Sequence, residues 1–372
     1  MSDQTTKSGD LSGRLHSLDA LRGFDMFWII GGGAFFRELS KLIDHPAAQS
    51  FSRQLHHVKW EGFHFEDLIF PLFLFIVGAV MPFAISRRLE RGQRRSQLYL
   101  HIFKRTAVII VLGMIYNGLL NFDFANMRWA GVLQRIGLCY FLAAVVVMNT
   151  SWRGQAIVFG AILVLYCLAS AFIPVPRPPD AGVFSMEGCL SSFVDQKLLP
   201  GVLYYGFGDN EGLLSTLPAT ATVLLGTLAG HWLRTNRSGH QKTALLILAG
   251  IASLALGKIW ALWFPIIKII WTSSYVLYAG GFSLLLLAIF YWIIDVMQFT
   301  KWAIFFVVIG TNALTIYFLQ DVINFDGIAS YLTDGLWSIF PTVKPVLAAL
   351  SILAVKWLFL WFLYRRRIFF KA

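Results

Sequence analysis

The stretch Gln54–Ile85, QLHHVKWEGFHFEDLIFPLFLFIVGAVMPFAI, sets three histidines and the adjacent acids Glu66 and Asp67 directly against a nearly charge-free run. From Asp67 onward that run holds the ~20 apolar residues a helix needs to cross the hydrocarbon core of a bilayer. Proton chemistry therefore stands at the lip of a membrane span. The same kind of run recurs along the chain. The 372 residues are 57% hydrophobic and only 14% charged, a balance typical of membrane proteins that leaves little chain for a soluble domain. About ten segments meet the length requirement: 17–38, 65–86, 102–121, 130–149, 154–173, 214–234, 243–263, 272–295, 302–320 and 344–364. The expected fold is an all-α polytopic membrane protein of about ten transmembrane helices.

Orientation follows from the basic residues, because short loops rich in Lys and Arg stay cytoplasmic. Arg87, Arg88, Arg91, Arg94, Arg95, Lys104 and Arg105 follow the second span, and Arg365, Arg366, Arg367 and Lys371 follow the last. An even number of spans puts both termini inside, N-in and C-in. The expected organisation is a cytoplasmic tail over 1–16 with Lys7 and Arg14, a transmembrane domain over 17–364, and a basic tail over 365–372. An outer loop near 174–213, opening PVPRPPDAG, is long enough to form a partly folded cap. His56, His57 and His64 then lie on the outer side. The formal charge of +11 reflects this topology and contact with anionic membrane lipids. No nucleic-acid partner is expected, since no basic and aromatic pattern stands outside the spans.

Cys139, Cys167 and Cys189 are scattered and form neither a disulfide framework nor a CxxC site. His57 and Glu61 are spaced i, i+4 but do not form HExxH, and the three histidines lack a fourth ligand, so no metal is expected. Histidine as acid or base fits better at neutral pH, beside the plainer reading of a structural histidine.

Polar residues within the spans need partners or water-lined cavities. Asp19 and Arg22 share a helix face and can pair, or Arg22 can turn inward to a phosphate. Asp25 sits deeper in the first span. Pro71 lacks the N–H that would bond the Asp67 carbonyl four residues earlier. Gln134 and Arg135 enter the membrane one turn after Arg128. Asn312 is either hydrogen-bonding glue between helices or functional. In DNEGLLSTLPATATVLLG, Asp209 or Asn210 can cap a helix with Glu211 in its first turn, or Glu211 can face the pocket of His57.

SLDALRGFDMF, HVKWEGFHFEDLIFPLFLFIVG, GVLQRIGLCYF, DNEGLLSTLPATATVLLGTLAG, WTSSYVL and GTNALTIYFL follow in that order between about Ser17 and Tyr364. Together they resemble the heparan-α-glucosaminide N-acetyltransferase family and its bacterial relatives. The resemblance implies an acyltransferase of the bacterial inner membrane that moves an acetyl group from cytoplasmic acetyl-CoA to the amine of an outer-side amino sugar or glycan, such as terminal glucosamine. It places the catalytic histidine three residues before a Trp, which is His57 ahead of Trp60. It also pairs Arg105 with a family position. Where the family reads PINKxxW, this chain reads FPIIKIIW, keeping Lys268 but replacing the Asn with Ile267.

With that chemistry, His57 is either the general base or the nucleophile. Asp67 can orient it, as a carboxylate orients histidine elsewhere. Asn312 or Gln134 can donate to the oxyanion. Arg22, Arg87, Arg88 and Arg105 are the expected phosphate clamps for CoA, with Gln134 and Arg135 also on the donor; positive-inside topology alone accounts for such a cluster as well. Trp60, Glu211 and Lys268 are expected to meet the acceptor. The alternative is an amino-sugar or oligosaccharide transporter, which an internal repeat would favour; none is visible. Gly31–Gly33 make helix–helix dimerisation plausible.

Overall fold

The computed structural model describes residues 15–369. Most of the tail over 1–16, with Lys7 and Arg14, and Lys371 of the basic tail lie outside the described residues. Among those described, fifteen α-helices carry the fold and no strand forms beyond two isolated bridges. They are α1 (His16–Phe27), α2 (Gly33–Lys41), α3 (Pro46–Gln54), α4 (Ile69–Glu90), α5 (Arg95–Tyr116), α6 (Val132–Asn149), α7 (Trp152–Phe172), α8 (Leu190–Leu198), α9 (Thr216–Leu233), α10 (Gly239–Trp260), α11 (Ser273–Tyr291), α12 (Ile304–Thr311), α13 (Ala313–Val322), α14 (Phe325–Trp337) and α15 (Lys344–Arg365).

By length and composition seven of the described segments can cross a membrane, and up to eight if the bent pair α12–α13 is one span, not ten. The expected first span fails because it is not one helix. A π-helical turn at Trp28–Gly32, with Gly31 at φ 144°, separates α1 from α2, and such a φ is open to glycine. The expected sixth span, α9, is 18 residues long, but its threonines, Pro218 and His231 make it more polar than a lipid-facing helix. The expected ninth span bends by 60° at Asn312, whose φ and ψ of −124° and 33° leave the helix.

Burial separates centre from rim. In the most apolar window of Phe65–Glu90, 72% of residues are buried, against 22% in α7. A helix apolar on all sides and buried is a core helix, so α4 belongs to the core and α7 to the apolar rim. Between helices in a bilayer, small residues allow the close approach that the hydrophobic effect does not drive. Gly226 of α9 packs against the Phe75 carbonyl of α4, and Gly78 of α4 against the Val223 carbonyl of α9, each leaving no room for a Cβ.

Candidate active site

The loop between α3 and α4 is shaped by its own polar groups. Phe65 N–H donates to Gln54 Oε1 (3.1 Å) and His64 Nδ1–H to the His56 carbonyl (2.8 Å). Gly62 N–H donates to the Ile266 carbonyl (2.9 Å), beside the bridge between Glu61 and Ile267. These contacts dock the loop onto the segment 261–272, which carries Lys268. A 3-10 turn at Phe65–Leu68 leads into α4 and presents Asp67 beneath the loop.

Asp67 is almost wholly buried, 1% exposed, and both its oxygens are engaged. Oδ2 accepts backbone N–H from His64 (3.0 Å) and Val58 (3.3 Å). Oδ1 lies 2.9 Å from His57 Nδ1 and 3.3 Å from Lys268 Nζ, and the ammonium is itself 3.0 Å from the same ring nitrogen. The structure thus brings His57, Asp67 and Lys268 together. A carboxylate accepts only, so Oδ1 takes both the His57 Nδ1–H and the Lys268 ammonium, and a ring protonated at Nδ1 alone keeps its lone pair on Nε2. The His57 side chain is 58% exposed. Burial pushes the Lys268 ammonium below its ordinary pKa, and Asp67 beside it offsets only part of that effect.

The Asp67 carbonyl, left free by Pro71, accepts the hydroxyl of Tyr275 (2.7 Å). Tyr275 was missed as a site residue; the proline signals the free acceptor, but its donor lies 208 residues away.

Glu211 does not start a helix. α9 begins at Thr216, and Asp209, Asn210 and Glu211 precede it in a turn gripped by Arg128. Arg128 forks onto Asp209 (2.8 and 2.5 Å), reaches Asn210 Oδ1 (2.7 Å) and bonds Glu211. This long-range pair overrides the local capping signal. Burial lifts the Glu211 carboxyl above its ordinary range despite Arg135 and Arg128 nearby, and its charge reaches Lys268. Trp60 donates its indole N–H to the Phe184 carbonyl (2.9 Å), tying the His57 loop to the 174–213 segment.

At the other end of α4 a cavity of about 770 Å³ is lined by Arg22, Arg87, Arg88, His101, Lys104 and Arg105. The four arginines expected as phosphate clamps therefore share one wall system. Asp19 pairs with Arg22 at 3.6 Å, Arg88 donates to His101 Nε2 (2.9 Å), and Arg105 lies 4.9 Å over Tyr140. Phe73, Val77 and Ile136 continue the lining inward.

Asn312 is not beside His57. It lines this cavity and donates to the Ile368 carbonyl (3.1 Å), because the helix break turns its amide toward the returning C-terminal segment. Gln134 and Arg135 stand outside the cavity lining. On α6, Ile136 and Tyr140 face the cavity, while Arg135 turns to the segment just before α9, donating to the Gly212 carbonyl (3.1 Å) and Ser215 and lying 5.1 Å from the Trp271 ring. Gln134 is buried and its Nε2 has no hydrogen-bond partner among the described residues. No group of three or more His, Cys, Asp or Glu arranged to hold a metal occurs among the described residues.

A family model described as a domain of unknown function, DUF5009, matches residues 14–118, the segment that supplies His57, Asp67 and the cavity arginines. The chain is 26% identical to the heparan-alpha-glucosaminide N-acetyltransferase of Homo sapiens over 99% of its own length and 61% of that protein's. It is 26% identical to the Mus musculus protein of the same name over 84% of its own length and 54% of that protein's. The chain spans little more than half the length of these curated relatives. The resemblance of this polytopic chain to the heparan-α-glucosaminide N-acetyltransferase family thus extends from its separate motifs to nearly the whole sequence.

Proposed function

We propose that the protein is a transmembrane acetyltransferase that takes an acetyl group from acetyl-CoA at one membrane face and delivers it to the amine of an amino sugar or glycan at the other. The observation that carries this reading is the pairing of two sites along α4. Asp67, under His57, and Arg87 in the last turn are twenty residues apart, ~30 Å along a helix, the thickness of the hydrocarbon core. The arginine-lined cavity suits the phosphates of CoA, since guanidinium binds phosphate in bidentate fashion. Arg105 lines that cavity, and its buried Nε has no hydrogen-bond partner among the described residues. Phe73 brings the cavity lining to within six residues of Asp67, ~9 Å of helix, a gap for the pantetheine arm to thread. Gln134 and Arg135 are assigned to the acyl end of the donor.

At the other face His57 removes a proton from the attacking amine through Nε2, with Nδ1–H held by Asp67. Acetyl transfer to His57 itself before the amine attacks is the second route open to the same nitrogen. Lys268 is the cation nearest the reacting group, and Glu211 and Trp60 border the acceptor.

We further infer that the arginine end is cytoplasmic and that the protein lies in a bacterial inner membrane. Contacts between loop ends support an alternation of crossings. Glu61 with Ile267 and Arg128 with Asp209 join loops at the His57 end, while Arg234 with Ser86 and Ser17 with Asp295 join them at the arginine end. Such an alternation has the broken α1–α2 pair and α9 cross as well, giving about ten crossings with both termini on the arginine side.

Transport of the sugar is the second reading, favoured by the two interrupted segments at Gly31 and Asn312, since discontinuous helices line transport sites. Purified protein supplied with labelled acetyl-CoA and a panel of amino sugars decides between them. Label on a sugar amine, lost in His57→Ala, supports transfer; no labelled product with any amine, together with sugar uptake into vesicles, supports transport.

A further inference from the structure

Asp25 is the deepest acid of the expected first span, and acetyl transfer as described gives it no task. It is wholly buried, and neither carboxyl oxygen has a hydrogen-bond partner among the described residues. Two more buried polar atoms without a partner belong to the same neighbourhood. One is Trp28 Nε1, three residues on along the helix face; the other is Glu66 Oε2, from the 3-10 turn that opens α4. The Trp28 ring meets Phe65 edge to face at 4.8 Å, which brings that turn against the π-helical break. A Cβ built on Gly33 would lie 3.7 Å from Glu66 Oε2 and 3.2 Å from Arg37 Nη1, which donates to the Leu55 carbonyl (3.0 Å). The charge that acts on Asp25 is that of Glu66, and the charges that act on Glu66 begin with His57, then Arg37, Lys268 and Asp67.

Among the described residues, the other elements packed on α1 bring Asp25 no counter-ion. α12 has no titratable side chain and α11 only tyrosines. On α13, the charge of Asp321 acts on Tyr116, and on α15 the Lys356 ammonium donates to the Ile30 carbonyl (2.9 Å). Asp295 accepts the Ser17 N–H, and Arg87, Arg88 and Glu90 stand at the arginine end of α4. Acids inside a membrane with no such partner mark proton pathways, and two carboxyl groups in an apolar place are satisfied by a proton held between them. The three orphaned oxygens fall short of the roughly six that a hard metal cation gathers, and the indole beside them is a donor. Asp25 follows Arg22 of the donor cavity by three residues, ~4.5 Å of helix. His57, Glu66 and Asp25 thus succeed one another from one face toward the other.

We propose that Asp25 and Glu66 form a proton-binding site within the membrane that carries the proton taken up by His57 toward the arginine face. The inference rests on the acetyl-transfer reading above. An amino sugar arrives as an ammonium. Making the amide forms one C–N bond and breaks the C–S bond and two N–H bonds; one proton goes to the sulfur of CoA and the other is surplus. The surplus proton passes to His57 Nε2, and the imidazolium gives one to Glu66. The pair then releases the proton it already held, from Asp25 into the arginine-lined cavity. His57 and the pair end as they began.

The test follows the proton in sealed vesicles of known orientation, with a pH-sensitive dye on each face and the sugar amine protonated. One proton per acetylated amine is expected on the arginine face. Asp25→Asn and Glu66→Gln should each lower turnover by about tenfold or more, with the remaining protons on the His57 face. Thermal unfolding midpoints establish that both variants are folded. Protons on the His57 face in the wild type, or on the arginine face in a fully active Asp25→Asn, would overturn the pathway. If the wild type acetylates no amine, the acetyl-transfer reading fails, and infrared difference spectra of the purified protein decide the site by themselves. A carboxylic C=O band that Asp25→Asn removes supports it. Absence of that band, or its conversion to a carboxylate band when Na⁺ is added at constant pH, overturns it.

Discussion

Replacing Asp67 with Asn changes one atom and should remove most of the activity. In the wild type Oδ2 accepts two backbone N–H groups, from His64 and Val58, and Oδ1 receives His57 Nδ1–H with Lys268 alongside. An amide has one acceptor and one donor group. The two backbone donors do not move, so the amide oxygen turns to them and the NH₂ faces His57 Nδ1. The ring must then accept at Nδ1 and carry its proton on Nε2, the tautomer that cannot take a proton from an amine. Lys268 also loses its counter-charge at 3.3 Å. The expected drop in turnover is about 10²- to 10⁴-fold, or ~3–5 kcal/mol of barrier. The assay is acetylation of an amino sugar by purified Asp67→Asn, alongside the thermal stabilisation that acetyl-CoA gives, which should persist because the arginine end of the donor cavity is ~30 Å away along α4. Turnover within about threefold of wild type, in a variant that still binds donor, would refute the orienting role of Asp67.

At the donor end, Arg105→Ala removes a guanidinium from the cavity wall and should weaken acetyl-CoA affinity by about tenfold, read by thermal shift, while the ranking of acceptors stays the same; unchanged donor affinity would return Arg105 to topology alone. Gly226→Leu forces a side chain into the Phe75 carbonyl of α4 and should lower stability by about 3 kcal/mol or more, seen as loss of folded protein in detergent; a normal unfolding midpoint would contradict the close packing of α4 and α9. Burial lifts the Asp195 carboxyl in α8 to about 6 even though it accepts N–H groups from Leu213 and Asp209. Its folded pKa lies above the ordinary value near 4, so its contribution is fully present below about pH 4 and is lost as pH rises through about 6, a swing of ~3 kcal/mol. Asp195→Asn should flatten the fall in unfolding midpoint between those pH values, and an unchanged slope would contradict the assignment.

Much of the fold was legible because membrane helices announce themselves by length and apolarity. α4, α5, α6, α7, α10, α11 and α15 all lie where apolar runs are longest. Three of the ten runs do not form one uniformly apolar helix because something else intervenes: the π-helical turn at Gly31, the threonines of α9, and the bend at Asn312. Local chemistry foresaw the free Asp67 carbonyl but not Tyr275, and suggested a cap at Asp209 that Arg128 claims from another loop. Asn312 and Gln134 looked alike as buried amides. Only the packing shows that one turns to the C-terminal segment at the arginine end while the other lies on α6 outside the cavity lining. Pairings between distant segments leave no periodic signal, and the approach of Glu66 to Gly33 is of that kind.

Sidedness tests the central claim most directly. In sealed vesicles of known orientation, with labelled acetyl-CoA and a membrane-impermeant amino sugar, the account predicts product only when acetyl-CoA is on the face of Arg87, Arg88 and Arg105 and the sugar is on the face of His57. Acetylation with both substrates confined to the arginine face would contradict transfer through the membrane, even with His57 essential. Passage of unmodified sugar across the vesicle wall without acetylation would contradict the enzyme reading itself.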